Sequence, residues 1–75
     1  MIKLVSIKDN TYYYDPNTQK IKRKYYDNIL HITKTVSGFF VEDIKHDFEN
    51  VMEKDDPLFQ EYKCAIHKYE RMFYK

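Results

Sequence analysis

The sequence predicts an α+β domain: a small antiparallel sheet of three to four strands, with two C-terminal helices packed on one of its faces. Two observations carry this prediction. Short runs of β-branched and aromatic residues, separated by turn residues, occupy the chain up to residue 36. Apolar residues then recur at three- and four-residue intervals, the period of an α-helix. The 75 residues contain no linker or repeat, so we expect a single domain, residues 1–75.

Two short segments begin the predicted sheet. Residues 2–8 are rich in β-branched side chains, which favours a strand, and Asp9-Asn10 ends it with turn chemistry. Residues 11–14, Thr-Tyr-Tyr-Tyr, predict a second strand because these side chains suit a half-buried pleated surface. With a side-chain period of two, Tyr13 must point away from Tyr12 and Tyr14.

A turn and a basic, aromatic segment complete a predicted β-hairpin. The sequence Asp15-Pro16-Asn17-Thr18 has the residues of a type I turn, with proline where its fixed φ fits. Residues 20–26 then alternate as a strand does. One face would carry Ile21, Arg23 and Tyr25, and the other Lys20, Lys22, Lys24 and Tyr26.

The next strand is predicted at residues 29–36, after the turn signal Asp27-Asn28. Ser37-Gly38 marks the change to helical periodicity, with Ser37 as N-cap and Val36 packing against Val41. We therefore expect a helix at about 39–54. Phe39 and Phe40 fit either the first turn of this helix or the end of the strand.

The last helix is predicted at residues 57–73. Asp56 is a suitable capping carboxylate, and Pro57 fits the first helical position. The apolar stripe of this helix consists of Phe59, Tyr62, Ile66, Tyr69 and Phe73, widened by Leu58, Ala65 and Met72. Cys64, beside Ala65, is interpreted as a small side chain at the edge of the core.

Composition narrows the class of protein. A single cysteine excludes an intramolecular disulfide and a cysteine-rich metal site. Charge interrupts the N-terminus too early for a signal peptide, and no apolar run reaches the ~18–20 residues of a membrane span. We therefore expect a soluble, cytoplasmic protein. The abundance of Lys, Ile, Asn and Tyr is typical of an A/T-rich genome, such as that of a phage or plasmid.

The net charge of +1 hides a division between the two halves of the chain. Residues 1–36 carry seven Lys and Arg against three Asp, a net of +4, whereas residues 37–75 carry six against nine acids, a net of −3. Within residues 42–56 there are seven acids and two lysines. The hairpin is thus predicted to present a basic surface and the first helix an acidic one; both are also typical of ordinary solvated faces.

Candidate chemical sites are weak. Cys64 and His67 lie three residues apart on a helix, and His31 or His46 could join them around a metal, but structural zinc sites usually contain at least two cysteines. Glu42 and His46 have an acid/base spacing, and equally that of a stabilising surface pair. With one glycine, no phosphate-binding loop is available. We predict no catalytic residue, metal or cofactor.

These observations favour a small non-enzymatic binding protein that docks on a protein partner, such as a phage- or mobile-element-encoded modulator or inhibitor of a host factor, in the host cytoplasm. The alternative is a nucleic-acid-binding module that uses the basic, tyrosine-rich hairpin. A small metal-free ribonuclease using His31, Tyr25, Lys24 and Arg23 is favoured less. A homodimer is compatible with the sequence, and a membrane role is not expected. The predicted partner-binding residues are Tyr12, Tyr13, Tyr14, Lys20, Lys22, Arg23, Lys24, Tyr25, Tyr26, Glu42, Asp43 and Asp47.

Overall fold

The computed structural model describes residues 1–42 and 55–73. Four strands, β1 (Ile2–Ile7), β2 (Asn10–Asp15), β3 (Lys20–Asp27) and β4 (Ile32–Phe40), form one antiparallel sheet in the order β1-β2-β3-β4. The helix α1 (Phe59–Phe73) follows. The α+β class and the four-stranded antiparallel sheet are confirmed. The described residues contain one helix rather than the two predicted.

The predicted helix at 39–54 is wrong at its start. Phe39 and Phe40 end β4, and Ser37 pairs with Lys22 inside the sheet, so Ser37 is not a helix cap. The reason is a close approach at Gly38, where an added Cβ would lie 2.5 Å from the Ile21 carbonyl oxygen. Glycine therefore lets the strand continue past its neighbour. Residues 41 and 42 are helical, and the rest of the predicted helix, residues 43–54, lies outside the described residues.

The fourth strand begins three residues later than predicted because the turn before it is longer. The Asp27 carboxylate oxygen Oδ1 accepts hydrogen bonds from the backbone N–H groups of Ile29 (2.9 Å) and Leu30 (3.1 Å). His31 has a left-handed backbone, φ 55°. Such side-chain bonds offer the backbone an alternative to the strand ladder, so apolar residues with high strand propensity lie in a turn. Their aliphatic side chains consequently leave the sheet.

The β2–β3 turn contains the predicted Asp-Pro-Asn-Thr sequence. Asp15 holds it with two acceptors: its carbonyl oxygen binds the Gln19 N–H at 2.8 Å, and its carboxylate oxygen binds the Asn17 N–H at 2.9 Å. Gln19 is left-handed, φ 57°, as is Lys8, φ 54°, between β1 and β2. The Gln19 carbonyl oxygen then accepts the Val41 N–H at 3.0 Å, which ties this turn to the end of β4.

The core lies between α1 and the sheet, chiefly over β1 and β2. Tyr12 and Ile21 are completely buried. Tyr12 meets Tyr62 of α1 edge-to-face at a ring-centroid distance of 5.1 Å, and Tyr14 meets Tyr69 at 4.7 Å. The buried apolar residues are Leu4, Tyr12, Ile21, Val41, Phe59, Tyr62, Ala65, Ile66 and Tyr69. The predicted helical stripe therefore forms the core, except near its C-terminal end, where Met72 and Phe73 are half-exposed.

The start of α1 is capped much as predicted. The Asp56 carboxylate oxygen Oδ1 accepts the Leu58 N–H at 2.8 Å, and the Asp56 carbonyl oxygen accepts the Phe59 N–H at 3.0 Å. This satisfies donors that the first helical turn leaves without partners. Regular helix begins at Phe59, two residues after Pro57. Cys64 is exposed, so its interpretation as a core-edge side chain is wrong.

Candidate interaction surfaces

Strand register gives the sheet two different faces. The face that packs on α1, the inner face, carries Tyr12 and Tyr14 of β2, paired with Arg23 and Ile21 of β3. The face turned away from α1, the outer face, carries Tyr13, paired with Lys22. The predicted alternation of the hairpin is thus confirmed, because successive side chains of a strand point to opposite faces.

The outer face is basic and rich in hydroxyl groups. One row across the four strands reads Lys3, Tyr13, Lys22 and Ser37, and the next row reads Ser6, Thr11, Lys24 and Thr35. Lys20 lies at one end of the face and Tyr26 at the other. The pairing of β2 with β3 also places one acidic residue, Asp15, on this face, directly opposite Lys20. Tyr13 therefore stands between two lysines, one on each neighbouring strand.

Two of these lysines already have intramolecular partners. Lys22 Nζ lies 2.9 Å from the Asp15 carboxylate, and Lys20 Nζ lies 4.5 Å from the centre of the Phe40 ring. The hydrogen bond from Lys22, supported by the backbone bond from Asn17, lowers the pKa of Asp15 below its ordinary value. Asp15 is therefore ionised at neutral pH and offsets one of the lysine charges.

The inner face contains a buried polar cluster that the sequence interpretation missed. Glu61 of α1 is only 8% exposed, and its Oε1 accepts the Tyr12 hydroxyl at 2.9 Å and the Asn10 amide at 3.1 Å. The side-chain oxygen Oδ1 of Asn10 in turn accepts a hydrogen bond from Arg23 Nη1 at 3.0 Å. Arg23 also bonds the Tyr62 hydroxyl, and its Nε has no hydrogen-bond partner among the described residues. A buried carboxylate thus meets an arginine through one asparagine.

Two phenols of this cluster resist ionisation. Burial is the largest cause that raises the pKa of Tyr12, and the hydrogen bond to Glu61 and its negative charge add to it. Burial also raises the pKa of Tyr62, against the opposing effect of Arg23. Both tyrosines therefore stay neutral well into alkali, and they act as hydrogen-bonding parts of the core.

The end of the β3–β4 hairpin exposes a group of apolar side chains. We call Tyr26, Ile29, Leu30, His31 and Ile32 the hairpin end. Ile29 is 88% exposed, and Tyr26, Leu30 and Ile32 are each about half-exposed. The Tyr26 hydroxyl lies 3.4 Å from His31 Nδ1 across the turn. Because α1 packs on β1 and β2, this end of the sheet lies beyond the part that α1 covers.

The predicted partner-binding residues are divided between these regions. Lys20, Lys22, Lys24, Tyr13 and Tyr26 share the outer face. Tyr12 is buried, Tyr14 packs on α1, and Arg23 belongs to the buried cluster, with its guanidinium 4.7 Å from the Tyr25 ring. Glu42 is exposed directly after β4. Asp43 and Asp47 lie outside the described residues.

Two parts of these surfaces escaped the sequence interpretation. Lys3 was assigned only to a strand, and its place beside Tyr13 depends on pairing between β1 and β2. The sequence interpretation assigned no role to Glu61. Its spacing was informative: it lies three residues after Leu58 and four before Ala65, hence on the packed side of the helix.

Residues 1–42 and 55–73 contain no pocket and no group of three His, Cys, Asp or Glu side chains arranged to hold a metal ion. No helix in the described part of the chain is long and apolar enough to span a membrane.

Comparison with known proteins gives no family model that matches this chain. Neither a curated protein nor a solved structure is significantly similar to it. The function must therefore be argued from the surfaces themselves.

Proposed function

We propose that this chain is a non-enzymatic binding protein that docks on a protein partner through its hairpin end. The observation that carries the proposal is the exposure of adjacent aliphatic side chains at one turn, with Ile29 88% exposed and Leu30 and Ile32 about half-exposed. Single exposed apolar residues are ordinary, whereas a contiguous group marks an interaction site. The site is argued from surface chemistry and requires no catalytic group.

The turn that displays these side chains is held in place before binding. Asp27 accepts two backbone N–H groups of the turn, and its carboxylate also lies 3.1 Å from Lys34 Nζ. The hydrogen bond from Leu30 is the largest cause that lowers the pKa of Asp27, so the carboxylate keeps these bonds at neutral pH. A pre-ordered loop loses less conformational entropy on binding, which favours affinity.

The shape of the hairpin end indicates the kind of partner surface. A turn at the end of two strands is convex, and two convex tips would bury little area against each other. A concave apolar pocket on another protein would cover Ile29 and Leu30, while Tyr26 and His31 would contribute polar contacts at its rim. The further hypothesis, that the partner is a host factor and the chain a phage- or mobile-element-encoded modulator, stays a prediction that the genomic neighbourhood would test.

Site-specific crosslinking identifies the partner directly. A photoreactive residue replaces Ile29 in one variant and the exposed Lys68 of α1 in a matched control. We expect the first variant, in cells of the native source, to form one discrete crosslink to another protein that the second does not form. A crosslink between copies of this chain would instead indicate self-association and would contradict the proposal.

The crosslinked protein is then purified and titrated with variants. Changing Ile29 and Leu30 together to serine should weaken binding by about tenfold or more, because buried aliphatic contacts are lost. Met72→Ser removes a similarly exposed apolar side chain from α1 and should leave the affinity unchanged. Equal affinity for wild type and the double variant would overturn the hairpin end as the docking site.

A further inference from the structure

The outer face has properties that docking through the hairpin end does not use. Strand register brings Lys3, Lys22 and Lys24 onto one surface, with Lys20 at its end. The net charge of the whole chain is only +1, so this grouping is local. Lysines at alternate positions of β3 are about 6.8 Å apart along the strand. We propose that the outer face is a second binding site, for single-stranded nucleic acid.

The arrangement around Tyr13 favours a nucleotide over other anions. Tyr13 is flanked by Lys3 on β1 and by Lys22 on β3, and directly paired side chains have Cβ atoms about 4.5–5.5 Å apart. A base can stack on the half-buried tyrosine ring while the lysines on both sides meet the phosphates. Lysines alone would serve any acidic ligand; a central aromatic ring adds a contact that a base provides.

Hydroxyl groups fill most of the remaining positions of this surface, and Phe40 and Asp15 lie beside Lys20 at its end. Thr11, Thr33 and Thr35 share the face with the lysines, and hydroxyls are common donors to phosphate and sugar oxygens. A single strand fits better than a duplex because the bases of a duplex are already stacked inside it and cannot reach the tyrosine. The site would bind without strong sequence preference, since every base has a face that can stack.

Asp15 supplies an internal check on this proposal. Its carboxylate lies 2.9 Å from Lys22 Nζ and competes with a phosphate for that lysine. Asp15→Asn removes the competing charge, while its side-chain oxygen can still accept the Asn17 N–H that orders the turn. We expect the variant to bind an oligonucleotide about two- to fivefold more tightly, the range of a surface ion pair. A purely structural role for the pair predicts no gain.

The primary test is fluorescence anisotropy with labelled oligo-dT and oligo-U of about 12 nucleotides at about 50 mM salt. Wild type should bind, and changing Lys22 and Lys24 together to alanine should weaken binding by about tenfold and lower the salt slope by about 0.7 for each phosphate contact removed. Lys63 and Lys68 of α1, changed together to alanine, give the same loss of charge elsewhere on the molecule. This control should bind nearly as wild type does.

Substitutions of Tyr13 distinguish the contribution of base stacking to binding from that of charge. Tyr13→Ser should weaken binding by about tenfold with an unchanged salt slope, and Tyr13→Phe should bind as wild type does, because the ring is kept. Circular dichroism and thermal unfolding verify that each variant is folded.

Three results would overturn the nucleic-acid site: no binding by wild type at low salt, an equal loss in the Lys63/Lys68 control, or equal competition by poly-glutamate. The third result would point to an acidic protein ligand instead. The Ile29/Leu30 serine variant should bind the oligonucleotide normally, so failure here and failure of the hairpin-end proposal are distinguishable.

Discussion

The same kinds of side chain have opposite fates in two regions of this small sheet. Beneath α1, on the inner face, Tyr12 and Ile21 are completely buried, whereas Ile32, on the same face at the start of β4, is about half-exposed. Strand propensity is similar in both regions. The difference is produced by the helix, whose 15 residues span about 22 Å and lie over β1 and β2. Residue type thus builds the strands, and helix position decides which side chains become core.

The largest expected contrast is between two isoleucines. Ile21→Ala should lower the free energy of unfolding by about 2–5 kcal/mol, because it removes a fully buried side chain and leaves a cavity. Ile32→Ala should cost well under half of that, since Ile32 is half-exposed. Urea denaturation followed by circular dichroism measures both. Ile21→Val, at about 0.5–1.5 kcal/mol, serves if the alanine variant does not fold. Equal costs at the two positions would contradict the division of the sheet into core and exposed end.

The second contrast concerns the close approach of β4 to α1. Gly38→Ala should destabilise the protein by about 1–3 kcal/mol, because the new Cβ would lie 2.5 Å from a backbone oxygen and 2.7 Å from Tyr62 Cε1. Thermal unfolding measures the change. Ser37→Ala, at the exposed neighbouring position, is the control and should change stability by less than about 0.5 kcal/mol. A neutral Gly38→Ala would mean that the strand and helix can separate without cost.

The third contrast compares two tyrosine hydroxyls. Tyr12→Phe removes a donor to the buried Glu61 carboxylate and should cost about 1.5 kcal/mol. Tyr26→Phe removes a hydroxyl at the exposed end and should cost less than about 0.5 kcal/mol. A double-mutant cycle with Glu61→Gln would measure the coupling between Tyr12 and Glu61. Absence of coupling would show that the observed hydrogen bond adds nothing to stability.

The smallest effect at neutral pH, and the clearest in alkali, is the titration of the buried phenols. The pKa values of Tyr12 and Tyr62 are raised above 10.0 in the folded state, so the unfolded chain loses these protons first. Their contribution to stability is complete below pH 10 and is lost as pH rises above it. Phenolate absorbance should therefore show Tyr12 and Tyr62 titrating late, together with unfolding. Tyr12→Phe should remove one late-titrating group relative to wild type; an unchanged number of late groups in this variant would contradict the assignment.

Much of the sheet followed from local chemistry. The alternation of residues 20–26 and the turn sequence at Asp15 correctly divided the tyrosines between two faces. Two predicted boundaries, the start of β4 and the start of the helix at 39–54, were wrong because side-chain or tertiary contacts determine them. Asp27 draws Ile29 and Leu30 into a turn, and Gly38 allows β4 to pass under Tyr62 where a helix start was expected. The hairpin end escaped prediction for the first of these reasons, since its aliphatic residues had been assigned to a strand.

The buried cluster shows a different limit of sequence interpretation. Spacing along α1 places Glu61 on the packed side of the helix. A buried glutamate is stable there only if hydrogen-bond donors contact its carboxylate. Those donors, Tyr12 and Asn10, are about fifty residues away in the chain. Such a match depends on strand register, which periodicity does not give to single-residue accuracy.

Two turn residues with left-handed backbone conformations are sites where substitution can raise the stability of the fold. Lys8 and Gln19 adopt φ values of 54° and 57°, which cost a non-glycine residue about 1–2 kcal/mol. Glycine at either position would relieve that strain, partly offset by its greater freedom in the unfolded chain. Both side chains are exposed, lie in turns and belong to neither proposed binding surface. Glycine at both positions is therefore expected to raise the thermal stability of the fold while leaving both proposed surfaces intact, and thermal unfolding would measure the gain.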